Sequence, residues 1–197
     1  MRREEFLGRL RSRPAGSHLP SEQTAPDLPS PPGDILSAFR EMAAKAGCRV
    51  ALGSFPELRR TLMEEVGQGS VLRGGEEPVL ALSADLAAVP VEEPFAADWG
   101  VALADGALAR TGSMCFVRRP ASPLTATLVP PRIAVLVPTS RIVWDLADYL
   151  VDPPEGGSLA IVSGPSRSAD IENDLSIGVH GPGDVLVLVW DDGDGVG

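Results

Sequence analysis

The stretch Ser163-Gly164-Pro165-Ser166-Arg167-Ser168-Ala169-Asp170-Ile171-Glu172 gathers several groups able to hold a ligand. Gly164 lets a backbone come close to a bound molecule, Ser166 and Ser168 carry hydroxyls, and Arg167 carries a forked cation. Together they suit a carboxylate or a phosphate. The same residues also read as a Gly-Pro turn ahead of a capped helix, with Arg167 in solvent. Asp170 and Glu172 form a lone D-x-E without a second carboxylate cluster, so no metal site is expected. A second candidate is Gly178-Val179-His180-Gly181-Pro182-Gly183. His180, in a tight glycine turn, can act as an acid/base group or a ligand donor, or be satisfied by nearby backbone. The third is Arg110-Thr111-Gly112-Ser113. Such a turn can present the Thr111 and Ser113 hydroxyls and the Gly112 amide to an anion with Arg110 beside it, or simply join two strands.

Other chemistries lack their residues. There is no G-x-x-x-x-G-K-[ST], no strand-borne G-x-G-x-x-G, no H-E-x-x-H and no G-x-S-x-G. The two cysteines, Cys48 and Cys115, sit among apolar neighbours, and no C-x-x-C exists. An iron–sulfur cluster usually takes four cysteines, so no redox cofactor of the chain's own is expected.

These turns need a scaffold, and the rest of the chain can build one. Its 197 residues are 44% hydrophobic but only 5% aromatic, so aliphatic side chains and alanine must fill the core. A formal net charge of −10 repels the phosphate backbone of nucleic acids. No apolar run approaches the roughly 20 residues of a membrane helix. The opening MRREEFLGRL is charged, unlike a signal peptide, so a cytoplasmic protein is expected.

Residues 1–12 have a helical pattern, with Phe6, Leu7 and Leu10 on one side. Residues 13–33 carry Pro14, Pro20, Pro26, Pro29, Pro31 and Pro32 and read as a linker, with His18 inside it. The helix before it is expected to be mobile or swapped onto a neighbour. The body is expected over 34–190, followed by an acidic, glycine-rich tail over 191–197 that frays.

Within the body, Asp34 caps a helix carrying Phe39 and Ala43 that Gly47 ends. Arg49–Leu52 reads as a strand, and Ser54 with Glu57 forms a capping-box signal for a helix over 55–66. Pro78–Leu82 reads as a strand and Ser83–Leu86 as a short helix start. The segments 99–104, 107–109 and 114–117 read as an antiparallel meander. Ile133–Val137 is a strand covered on both faces. Thr139 or Ser140 starts a helix with the stripe Ile142, Val143, Leu146, Tyr149 and Leu150. Ser158–Val162 reads as a further buried strand, and Asp184–Trp190 as the last. This alternation predicts an α/β domain: a mixed, mainly parallel sheet with helices on both faces. Asp98, Asp105, Asp145 and Asp148 read as caps, turns and solvated positions.

Three long runs then carry a resemblance. GPSRSADIENDLSIGVHGPGDVLVLVW is similar, nearly position for position, to the ending of the lactate utilization protein C, or LUD-domain, family. IAVLVPTSRIVWDL and ALADGALARTGSM resemble its preceding segments. The likeness covers nearly the whole chain. It implies a fold of the NagB/RpiA/CoA-transferase-like type and a place in a three-part system that converts L-lactate to pyruvate alongside iron–sulfur partners. Arg110 departs from the pattern, since the family usually has Glu before this Thr-Gly. The expectation is an accessory subunit whose two late glycine turns meet, with the Arg167 guanidinium and His180 imidazole facing one hollow. One alternative is an independent enzyme on a phosphorylated or carboxylate ligand, like the isomerases, acyl-CoA transferases and folate cyclo-ligases of that fold type. Another is a scaffold with a vestigial cleft.

Overall fold

In the computed structural model, the described residues are 29–120, 124–152, 154–155, 157–169, 175–177 and 181–194. The expectations for the first helix, most of the linker and the last three residues fall outside them.

Asp34 accepts a hydrogen bond from Ser37 N (2.9 Å) and starts helix α1, Ile35–Lys45. Strand β1, Arg49–Gly53, leads to α2, Phe55–Val66, where the Glu57 carboxylate accepts from both Ser54 N and Ser54 Oγ. There follow β2, Ser70–Arg73, α3, Glu77–Leu82, and the short β3, Ala87–Ala88. Next come β4, Trp99–Leu103, β5, Gly106–Leu108, β6, Ser113–Val117, and α4, Thr125–Leu128. The remainder is β7, Arg132–Pro138, β8, Ile142–Val143, α5, Leu146–Tyr149, β9, Leu159–Val162, β10, Arg167–Ala169, β11, Leu175–Ile177, and β12, Asp184–Trp190.

Six strands form one parallel sheet in the order β1-β12-β7-β4-β2-β3. Its central strands are apolar at nearly every position because both faces are covered. Ala134, Leu136, Leu186 and Leu188 pack with Leu58 and Leu62 of α2 and Val79 and Leu82 of α3. Their neighbours in sequence, Ile133, Val135, Val185 and Val187, turn to the other face and pack with Phe39 and Ala43 of α1. A second sheet, ordered β8-β5-β6-β9, shares that face through Ala107, Met114 and Phe116. Strands β10 and β11 form a separate antiparallel pair. The predicted mainly parallel α/β architecture is therefore the one observed. Cys48 and Cys115 are both buried, and neither is in a disulfide. Among the described residues, no helix is long and apolar enough to cross a membrane.

Several elements differ from the sequence reading. Pro78–Leu82 is helical, not extended: Glu77 and Pro78 occupy the first turn, where an acid suits the helix dipole and proline loses no bond. Ser83–Leu86 is a single turn closed by Leu86 N on Ser83 O, not a helix start. Trp99–Leu103 leaves the expected meander and lies between β2 and β7, because all five of its residues are buried. Only β5 and β6 remain as a hairpin. The single helix expected after Thr139 is broken. Asp145 caps a new start by accepting from Ala147 N (2.7 Å), while Asp148 accepts from Asp145 N (3.1 Å), so Ile142 and Val143 stay extended. Strand β9 is not buried, since it is the edge of the second sheet and exposes Leu159 and Ile161. Strand β2 and its small neighbour β3 carry no clear signal in the sequence.

Candidate functional site

The Thr-Gly-Ser turn joins β5 to β6, and its geometry follows from the hairpin register, which pairs Leu108 with Ser113. Gly112 N closes the turn on Leu108 O at 2.8 Å. Gly112 has φ +67°, and a Cβ there would lie 2.2 Å from the Ala43 nitrogen of α1. Only glycine fits both the left-handed backbone and that approach.

Strand β9 runs antiparallel to β6 with Val162 opposite Met114, which brings Ser163 alongside Ser113. The Ser113 hydroxyl lies 2.7 Å from Thr111 Oγ1 and 2.7 Å from Ser163 Oγ. Ser113 is buried, while Thr111 and Ser163 are exposed. Three hydroxyls carry three protons, and the two bonds of this chain use two. One O–H therefore remains to donate outward from an exposed end.

The Ser163–Ser166 turn then folds back onto the same helix. Gly164 has φ +89°, and a Cβ there would lie 2.4 Å from the Ala46 carbonyl oxygen at the end of α1. Ser166 N donates to Pro182 O at 2.7 Å, and Gly181 faces the Ser166 Cβ closely enough that its own Cβ would be 3.3 Å away. The two late glycine turns thus touch through their backbones, with Pro165 partly buried between them. Arg167 and Ser168 begin β10, a strand and not the capped helix that a Gly-Pro turn there would lead to, and Arg167 sits opposite Ile177. Antiparallel pairing to β11 draws them into extended form. Asp170, Glu172 and His180 lie outside the described residues, as do the directions of the Arg167 and Ser168 side chains.

Arg110 is not a free cation beside the turn. Its guanidinium pairs with Asp145, the cap of α5, and its backbone N–H donates to Trp144 O at 2.9 Å. The charge at position 110 thus has a partner of opposite sign. Arg110→Glu is expected to replace attraction with repulsion and to cost about 1–2 kcal/mol. Calorimetry should show Tm falling by about 2–8 °C, with added salt shrinking the loss. An unchanged Tm would mean that the pair contributes nothing.

A second cluster, which no motif in the sequence marks, lies at the carboxyl ends of the adjacent strands β4 and β7. Asp105 follows β4, and its side chain is 8% exposed. Its carboxylate accepts from Val117 N (2.6 Å) and pairs with Arg119 (2.7 Å). Thr139 and Ser140 follow β7, and Asp192, just past β12, accepts from Thr139 Oγ1 and Ser140 N, each at 3.1 Å, and from Ser140 Oγ. Burial raises the Asp192 carboxyl, but these bonds outweigh it and hold the group below its ordinary value. The loop so fixed carries Arg141, whose Nη1 donates to the Ala104 carbonyl at 2.8 Å. Tyr149 completes the group, its ring lying over Gly106. A cleft of about 670 Å³ opens among Asp105, Arg119, Arg141 and Tyr149. The signal was available: ligands of open α/β sheets bind beyond strand carboxyl ends, and Asp105 and Arg141 each follow an apolar run.

Comparisons with known proteins agree with this architecture. Residues 35–190 match the LUD domain. An uncharacterized protein of Neisseria meningitidis is 34% identical over 96 residues, 46% of this chain and 41% of that protein. Lactate utilization protein C of Exiguobacterium is 36% identical over 104 residues, 48% of this chain and 45% of that protein. These two matches span less than half the length of each relative. Lactate utilization protein C of Bacillus pumilus is 28% identical over 165 residues, covering 70% of this chain and 69% of its own. A solved DUF162 family protein from Deinococcus radiodurans has a TM-score of 0.62 at 20% identity, covering 82% of this chain and 99% of that one, and so shares the fold.

Proposed function

Since the chain belongs to the LUD-domain family, we propose that it is a cytoplasmic accessory protein of L-lactate utilization, leaving electron transfer to iron–sulfur partners. It binds a small carboxylate where its glycine turns converge. The observation that carries this reading is the Thr111–Ser113–Ser163 hydroxyl chain beside the Ser166–Pro182 contact. Its spare O–H donates to one carboxylate oxygen, and Arg167 supplies the charge the hydroxyls lack. His180 is the candidate acid/base group in this scheme, and Ser168 and Gly181 line the same seat. Asp170 and Glu172, next in the sequence, belong to the same proposed seat.

The test mixes the purified chain with the iron–sulfur proteins of L-lactate oxidation and follows pyruvate. The expected result is a higher rate with the chain present, reduced by Ser113→Ala and more strongly by Arg167→Ala. Equal rates with and without the chain would count against the proposal.

A second reading is an independent enzyme acting on a phosphorylated or carboxylate ligand. What favours it is the cleft at the carboxyl ends of β4 and β7, the position where α/β sheets bind substrates. Heat on titration with a phosphosugar, a coenzyme A ester or a folate, abolished by Arg141→Ala in that cleft, would support it. Silence across that panel would dismiss it.

A further inference from the structure

Strand β9 has a bare side. Arg118 N donates to Ser158 O at 2.8 Å, so Arg118 and Ser158 form a hydrogen-bonded pair in the β6–β9 register. Antiparallel pairs alternate, which makes Val117–Leu159 and Cys115–Ile161 the non-bonded ones. Their β6 members agree: Val117 N donates to the Asp105 carboxylate and Cys115 O accepts from Asp105 N, both away from β9. The N–H and C=O groups of Leu159 and Ile161 therefore point out from the sheet edge. Among the described residues, none of these groups has a partner. Natural edges usually carry a charge or a proline, or are very short, which discourages pairing. Strand β1 carries Arg49, and β3 and β8 are two residues each. Leu159-Ala160-Ile161-Val162 has no such device.

The edge is also apolar on one face. Leu159 is 41% and Ile161 42% exposed, on the face they share with Val117 and Cys115. Leu150, exposed at the end of α5, joins Val117, Tyr149, Pro154 and Leu159 around a hollow of about 240 Å³. Charge decides what can settle there. Tyr149 and Pro154 line both this hollow and the larger cleft, so the two adjoin. With Asp105 paired to Arg119, that cleft sets Asp148, Asp152 and Glu155 against Arg141 alone. A second copy of the chain would bring the same acids and another formal charge of −10 to the contact. A basic segment is attracted instead.

We infer that the outer edge of β9 docks an extended segment of a partner protein, antiparallel to β9, with apolar side chains at alternate positions and Lys or Arg at its C-terminal end. The segment continues the antiparallel order of β5, β6 and β9. Its backbone satisfies the outward groups of Leu159 and Ile161, which supplies affinity, and its alternate side chains supply specificity. The residues opposite Leu159 and Ile161 stand on the same exposed face, where a long apolar side chain reaches over Leu159 to the hollow. Beyond Leu159 an antiparallel segment runs toward Glu155 and Asp152, which places its basic end beside the acids. Docking here requires no ligand at the glycine turns.

Isothermal titration of the full chain with the peptide acetyl-Thr-Leu-Thr-Leu-Thr-Lys-Lys-amide tests this. The peptide should bind, and replacing its lysines by glutamates should weaken it at least about tenfold. In the antiparallel register the leucine N–H groups face β9 and the threonine N–H groups face away. N-methylation of both leucines should therefore cost about tenfold or more, and N-methylation of the threonines less than about threefold. In the protein, Ile161→Pro removes an outward N–H and no bond to β6, a place where an edge strand accepts proline. It should weaken the peptide about tenfold, while Ile161→Thr, which keeps the N–H, loses less. The two methylated peptides decide the matter even if Ile161→Pro does not fold. No heat from the lysine peptide, a glutamate peptide as tight, equal affinity for the two methylated forms, full affinity in folded Ile161→Pro, or a dimer in sedimentation that Ile161→Pro dissociates would each overturn the assignment.

Discussion

Gly112→Ala is expected to lower the stability of the domain by about 3 kcal/mol, and Tm by about 6–12 °C. Two costs add. A side chain at φ +67° pays for a left-handed backbone, and its Cβ would sit 2.2 Å from Ala43 N and 2.4 Å from the Met42 carbonyl carbon. Those atoms belong to the backbone of α1, which cannot step aside without giving up Phe39 and Ala43 from the core. Gly33→Ala provides the contrast, since nothing lies within 4 Å of its Cβ position, and a change within about 0.5 kcal/mol is expected. If the two variants melt together, the contact between turn and helix is not the constraint described.

Asp105→Ala carries the second large effect, about 2–3 kcal/mol. The substitution strips the Val117 N–H of its acceptor and leaves the Arg119 guanidinium, 33% exposed, without its counter-charge. Partial exposure lets water soften the second loss, so the estimate stays below that for a fully buried pair. Asp105→Asn retains an oxygen for Val117 N and should cost about half as much. Urea unfolding should show the midpoint moving in both variants with little change in slope. Midpoints equal to the parent's would remove Asp105 from any role in joining β4 to the second sheet.

The residues that made the fold readable are those with unambiguous local meaning. Asp34, and Ser54 with Glu57, mark helix starts by satisfying free N–H groups, and both mark them in the structure. Ile133–Val137 and Val185–Val189 are continuous aliphatic runs, which only a doubly covered strand needs. Failures arose where short runs carry no period. Pro78–Leu82 is too brief to separate strand from helix, and the acid and proline ahead of it were the better guide. Past Thr139 a helical stripe was visible, but Asp145 started a new helix and overrode it.

For the turns, sequence revealed composition but not partners. That Ser113 and Ser163 share a hydrogen bond depends on the β6–β9 register, which neither segment encodes alone. The pairing of Arg110 with Asp145, 35 residues apart, was hidden for the same reason. Asp105 was legible only as half of an Asp-Gly turn, because its burial and ion pair arise from the second sheet closing over it.

The sheet order has a consequence for how the molecule comes into being. Within the large sheet, β1 touches only β12, and β12 is also what joins it to β7. As a nascent chain leaves the ribosome, β1 waits through some 130 further residues for its hydrogen-bonding neighbour. Until Asp184–Trp190 slots between the two, the aliphatic flanks of β1 and β7 stand open to the crowded cell.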